Sequence, residues 1–302
     1  VFKIMYTIDY TPYKLRDWIP LDKINWGGLS QNPRAIELLE QNQNKIDWYK
    51  LSINSNAIHL IEQNLDQIDW FPLSANPKAI HLLEQNLDKI HWDVFCYHIN
   101  AMYLLEQNQD KIEWQYLSMN RNAISFLEQN QDKINWRSLS RNPNAIYLLE
   151  QNPDKINWWN LCSNRNAIHL LEQNLDKINW YVLSLNLNAI YLLEQNPDKI
   201  YWRELSENPN AIHLLEKNVD KINWDKLSEN KNAFTLLEQN PDKVNWMNFS
   251  SNPSIFEIDY QTIQQRIEPF KEELIQKCFH PERLIRYLDV YNYDIGDDEY
   301  QD

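Results

Sequence analysis

Ten glutamates recur every 22 residues: Glu40, Glu62, Glu84, Glu106, Glu128, Glu150, Glu172, Glu194, Glu216 and Glu238. Four histidines, His59, His81, His169 and His213, share another position of the same interval with Tyr103, Tyr147 and Tyr191. A carboxylate column suits calcium, an imidazole column suits zinc, and the neighbours Cys278 and His280 suggest a thiolate–imidazole dyad. All three chemistries need different groups converging on one point. Calcium holds its oxygens at ~2.3–2.6 Å, whereas stacked helical rungs sit ~8–10 Å apart. Identical residues on successive rungs therefore cannot share an ion. Cys278 and His280 lack a third partner and read as packing near the chain end. The expectation is a protein with no catalytic residues, no metal and no cofactor.

The elements that must carry these columns follow from the period. Tryptophan falls at Trp26, Trp48, Trp70, Trp92, Trp114, Trp136, Trp158, Trp180, Trp202, Trp224 and Trp246, each step 22 residues. Read from Trp, the unit is W-x-x-L-S-x-N-P-x-A-I-x-L-L-E-Q-N-x-D-K-I-x. A fixed period of this size marks a repeat array. In the copy that starts at Trp136, Asn142-Pro143 reads as a helix N-cap followed by a first-turn proline. Ala145, Ile146, Leu148 and Leu149 give one apolar arc. Asn152 ends that helix, in the left-handed conformation Asn accepts. Asp154 and Lys155 turn the chain, and Asn157 caps a second helix with Trp158, Leu161 and Cys162 on one face. Each helix is too short to stand alone, so stacking must bury the Trp, Leu and Ile columns. The predicted fold is all-α: an α-solenoid superhelix of ten full two-helix repeats with helical caps at both ends, about 100 Å along its curve. Leucine-rich repeats have similar periods, but L-x-x-L-x-L is missing and A-I-x-L-L-E-Q has helical spacing.

Composition narrows the function. The chain has 302 residues and a net charge of −14, which opposes a general affinity for nucleic acid or anionic membranes. Three glycines, Gly27, Gly28 and Gly296, cannot build a phosphate-cradling loop. Cys96 and Cys162 stand where other copies carry Ser and read as small buried thiols in a reducing compartment. No apolar run approaches the ~20 residues of a membrane span, and no signal peptide is visible. The first residue is Val1, so a native start is expected upstream.

The predicted organisation is an N-terminal cap over residues 1–25, with a leading helix from Thr11-Pro12 to Trp18. The array follows over 26–253 and a C-terminal helical cap over 254–290. In that cap, His280-Pro281 opens the last helix, with Leu284, Ile285 and Leu288 on its apolar side. Residues 291–302 form an acidic tail expected to be disordered. Repeat four departs from the pattern: Phe95-Cys96-Tyr97-His98 replaces L-S-x-N and gives up the Asn cap.

N-P-x-A-I-x-L-L-E-x-N-x-D-K-I-x-W-x-x-L-S, carried over about residues 20–253, resembles a repeat of uncharacterised proteins from large DNA viruses of amoebae, the mimivirus relatives. His280-Pro281-Glu282-Arg283-Leu284-Ile285-Arg286-Tyr287-Leu288 resembles the closing segment of such proteins. The resemblance supplies no activity. It implies a viral protein acting in the host cytoplasm, with a virus factory as one setting.

A repeat without convergent chemistry points to a protein-interaction scaffold or adaptor. A self-associating structural component of virion or factory is the alternative, and a nucleic-acid-binding helical repeat the third reading. Nucleic acid is disfavoured because no basic stripe accompanies the repeated Glu and Asp. The partner surface is expected in repeats five to eight. There Trp159 and Tyr181 are not required by the repeat pattern, and Tyr147, His169 and Tyr191 lie on the predicted exposed ridge.

Overall fold

The structure is a computed structural model, describing residues 11–100, 102–280 and 282–286. The chain divides into two compact units, one of residues 15–256 and one of residues 1–14 with 257–302.

The larger unit is the repeat array. In the sixth repeat, Trp136–Leu139 and Ile146–Gln151 are α-helices and Pro153–Lys155 is a 3-10 turn. This order recurs from Trp26–Gln31 to Trp246–Ser250, with a plain turn over residues 65–67 in place of the 3-10 turn in the second repeat. The two series are called Trp-helices and Ile-helices below. Their caps follow from the letters. Asn157 Oδ1 accepts from the Asn160 N–H at 3.0 Å, closing the first turn of Trp158–Leu161. Leu139, Ala145 and Leu149 are fully buried, as are their equivalents in neighbouring repeats. They form the core that offsets the weak propensity of such short helices.

Three local expectations change. Asn152 is not left-handed: its φ is −132°. Its Nδ2 donates to the Leu148 carbonyl at 2.9 Å, so the helix end is satisfied without a positive φ. The Trp column is half-buried rather than central, because the lysine of the following 3-10 turn covers it. Lys155 Nζ lies 4.5 Å from the Trp136 ring centroid, and Lys177 lies 4.3 Å from that of Trp158. The third change concerns Asn142. Ala145, not Asn142, holds the N-cap position of the Ile-helix, and it makes no side-chain bond there.

Asn142 instead ties repeats together. Its Oδ1 accepts from Asn144 N at 3.0 Å. Its Nδ2 donates back to Ser118 O at 3.1 Å and Asn120 O at 2.9 Å, in the preceding repeat. The side chain is 1% exposed. Asn54, Asn120, Asn164, Asn186, Asn208, Asn230 and Asn252 bond back across the same interface in the same way. A serine series runs alongside: Ser140 Oγ donates to Trp136 O and accepts from the N–H of Asn157, the cap of the next Trp-helix.

The same ladder closes the array on itself. Asn32, in the first repeat, donates to Ser250 O at 3.1 Å and Asn252 O at 3.0 Å, in the eleventh. Within the array such bonds span 24 and 22 residues; here they span 218 and 220. Adding 24 to 218, or 22 to 220, gives eleven periods of 22. The serine bond returns in the same register, from Asn25 N to Ser250 Oγ at 2.9 Å. So does the lysine cover, with Lys23 Nζ 5.4 Å from the Trp246 centroid. Thus the residue 15–256 unit is a closed ring of eleven repeats. An open superhelix with two capped ends is not formed, because the first repeat's acceptors are supplied by the last. A closed arc of about 100 Å corresponds to about 30 Å across at the helix axes.

The eleventh repeat is assembled from both ends of this unit. Trp246–Ser250 supplies its Trp-helix. The 3-10 turn comes from Leu21–Lys23, within the segment expected to be an N-terminal cap. Between them Trp18 stacks on Phe249 at 5.9 Å and packs against Trp246 and Phe234. The Arg16 guanidinium lies 3.8 Å from the Phe234 centroid.

Neighbouring Trp-helices approach at backbone level, as Trp26–Gln31 does with Trp48–Ser52 and with Trp246–Ser250. Neighbouring Ile-helices are bridged by long side chains. In a ring the more closely spaced series runs at smaller radius, so the Trp-helices form the inner circle.

The predicted leading helix is absent. Tyr13–Leu15 is a short strand paired with the strand Phe256–Ile258. Arg16 N donates to Ile255 O, and Asp259 N donates to Pro12 O, so the strands run antiparallel. This pairing overrides the local Thr-Pro helix signal. The smaller unit also contains the helices Tyr260–Ile267, capped by Asp259, and Lys271–Cys278. Residues 282–286 are helical; Leu288 and the predicted acidic tail lie outside the described residues.

Candidate binding surface

The histidine and glutamate columns meet across the Ile-helices. The Nε2 atoms of His59, His81, His169 and His213 lie 2.6–2.9 Å from carboxylate oxygens of Glu40, Glu62, Glu150 and Glu194, each in the preceding repeat. Tyr147 OH donates to Glu128 in the same manner. Five of the ten column glutamates, Glu40, Glu62, Glu128, Glu150 and Glu194, are therefore bridged to His or Tyr of the next repeat. Among the described residues, no group of three or more His, Cys, Asp or Glu could hold a metal ion.

The five residues singled out by sequence divide between the two helix series. Tyr147, His169 and Tyr191 lie on Ile-helices. The first two are engaged by Glu128 and Glu150, whereas Tyr191 is 64% exposed. Trp159 and Tyr181 lie on consecutive Trp-helices and are 53% and 42% exposed. Tyr181 meets Tyr201 edge-on at 5.6 Å. The structure therefore does not bring all five onto one series.

The Trp-helix series adds residues that whole-chain composition hides. Tyr97 packs on Tyr116 at 5.2 Å, and its hydroxyl reaches Met119 Sδ at 3.9 Å. The Arg141 charge acts on the same phenol, although burial is the larger influence and raises its pKa. Asn160, beside Trp159, donates to Arg137 O at 2.6 Å. Reading the residues one and five places after each Trp as columns would have exposed this aromatic and arginine sector.

Repeat four keeps its rung despite its changed letters. His98 is 2% exposed and occupies the Asn position. Its Nδ1 accepts from Asn100 N at 3.2 Å, and its Nε2 donates to Asn76 O at 3.0 Å. The cap that the sequence reading gives up is thus made by an imidazole. Cys96 Sγ accepts from Glu113 N at 3.4 Å in the serine role, and burial pushes its pKa up to about 11. Cys162 does the same for Asn179 at 3.2 Å.

His98 makes the ring acid-sensitive at one rung. Burial holds its pKa below the ordinary 6.5. Above 6.5 both folded and unfolded forms are neutral and contribute no difference. As pH falls through 6.5 the unfolded chain takes up a proton that the folded imidazole refuses, so stability drops. Urea midpoints measured at about pH 7.5 and about 5.5 should separate more in the wild type than in His98→Asn. Equal separations would exclude His98 as a source of acid sensitivity.

Compared with protein-family models, curated proteins and solved structures, the chain matches none. Among the described residues, no helix is long and apolar enough to cross a membrane.

Proposed function

We propose that the protein is a non-enzymatic binding ring, a scaffold or adaptor that holds a protein partner against the Trp-helices of repeats five to eight. The observation that carries this reading is the exposure of Trp159 and Tyr181 on adjacent repeats. The asparagine and serine positions satisfy one another from repeat to repeat, and these two large rings serve none of those recurring bonds. Exposed aromatic anchors contribute a large share of binding energy where interfaces form. Through the repeat resemblance, the proposed setting is the cytoplasm of a virus-infected host cell.

The test is the Trp159→Ser/Tyr181→Ser double variant, first shown to unfold at the wild-type temperature. In quantitative affinity capture from infected cells, partners recovered by the wild type should fall about tenfold or more. Recovery of the same set at unchanged yield would remove these residues from the interface.

A further inference from the structure

We infer that the Trp-helix face of repeats five to eight selects an acidic peptide segment bearing apolar side chains. The inference rests on the binding-ring reading and adds the chemistry of the partner. Residues 114–122, 136–144, 158–166 and 180–188 contain Arg121, Arg137, Arg141 and Arg165 and no Asp or Glu. This stands in a chain of net charge −14. All four arginines are exposed, and none forms an ion pair among the described residues.

The contrast with repeats nine and ten is direct. There the matching segments carry Glu204, Glu207, Asp225 and Glu229 beside their cations. Lys226 Nζ is bound by Glu207 at 2.9 Å and Glu229 at 3.6 Å, so charge is consumed internally. In repeats five to seven it is left to solvent. Guanidinium groups bind carboxylates in paired hydrogen bonds, and Tyr116, Trp159 and Tyr181, on the Trp-helices of the same repeats, can receive apolar side chains.

The same chemistry favours a peptide over a nucleic acid. A nucleic-acid strand carries charge at every step and would run past the sector onto the carboxylates of repeats nine and ten. A peptide can place acid only where arginine awaits it. Four rungs at ~8–10 Å spacing are spanned by roughly ten extended residues.

The experiment uses the full chain and fluorescence anisotropy with four labelled probes. They are a peptide of roughly ten residues alternating Glu with Tyr or Leu, its Gln-for-Glu counterpart, its Lys-for-Glu counterpart, and an oligothymidylate of similar length. The glutamate peptide should bind the wild type, and its affinity should fall about tenfold between roughly 50 and 300 mM salt. Arg137→Glu/Arg141→Glu should weaken it about tenfold or more and confer binding of the lysine peptide; Arg137→Gln/Arg141→Gln should weaken it without that gain. Circular dichroism melts establish that each variant is folded.

Equal affinity for the glutamate and glutamine peptides, with both lost in Trp159→Ser/Tyr181→Ser, would overturn the charge selection and leave the binding face standing. Binding of the glutamate peptide indifferent to all three variants would overturn both. Tighter, arginine-dependent binding of the oligothymidylate would replace the peptide by a nucleic acid. Absence of binding by every probe would also overturn the inference.

Discussion

Replacing Gly28 by valine is expected to open the ring between its first and eleventh repeats. A Cβ at Gly28 would stand 2.8 Å from Ser250 Cβ and 3.2 Å from Met247 O and Ser251 N. Two of those atoms are backbone, and the third is fixed by the bond from Asn25 N to Ser250 Oγ. The equivalent places in the next repeats hold Lys50, Pro72 and Val94, so this joint is the one that needs a bare Cα. The clash would separate Asn32 from both its acceptors and leave buried polar groups unmatched, at about 1–3 kcal/mol each. Hydrogen exchange should accelerate in residues 26–45 and 246–256 while the far side of the ring keeps its protection. Gly27→Ala is the control. Its Cβ meets only side-chain tips, the nearest being Lys50 Nζ at 3.1 Å. Wild-type protection in Gly28→Val would mean that the joint is not tight.

Asn142→Ala should cost about 3–5 kcal/mol, among the largest effects for any single side chain of this size. The change deletes two donated bonds and one accepted bond at a residue 1% exposed. It strands the Ser118 carbonyl, leaves the Asn120 carbonyl with the Ala123 N–H alone, and opens a void. Asn142→Asp should be at least as damaging, because a carboxylate would face those two carbonyl oxygens in a dry site. Asn142→His should be milder than either, since His98 already fills this role in repeat four. Urea unfolding of the four proteins would rank them. If Asn142→Ala lost less than about 1 kcal/mol, the ladder would be ornament rather than support.

The helical repeat was legible because its grammar is local. Asn157 as cap, the Ala145-to-Leu149 apolar arc and the Ser-to-Cys exchanges at Cys96 and Cys162 follow from spacing alone. The role of Asn142 was not, because an Asn before Pro looks the same whether it caps a helix or reaches into the next repeat. Closure depends on a small rotation per repeat summed around the ring, which no single unit displays. One signal was nevertheless present. Pro20-Leu21-Asp22-Lys23-Ile24-Asn25 is the latter half of a unit with no first half, and Trp246 to Pro253 is a first half with no ending. Tyr13–Leu15 was misread because strand pairing with Phe256–Ile258 is set by chain ends far apart in sequence. At the binding surface, Trp159 and Tyr181 stood out as unneeded by the fold. The arginine sector was masked by averaging charge over the whole chain.

A closed ring also restricts how such a chain can change over generations. Near-identical stretches such as residues 79–92 and 167–180 invite unequal recombination, which adds or removes whole units from a tandem array. An open stack tolerates this, growing or shrinking by one rung with its other joints untouched. Here eleven joints share a full turn, about 33° each. A twelve-unit descendant would need every joint to relax to about 30°, and a ten-unit one would need each to tighten to about 36°. Either demand falls on all the asparagine and serine bonds at once. Closure thus sets a geometric penalty on any change of copy number, which an open stack does not carry.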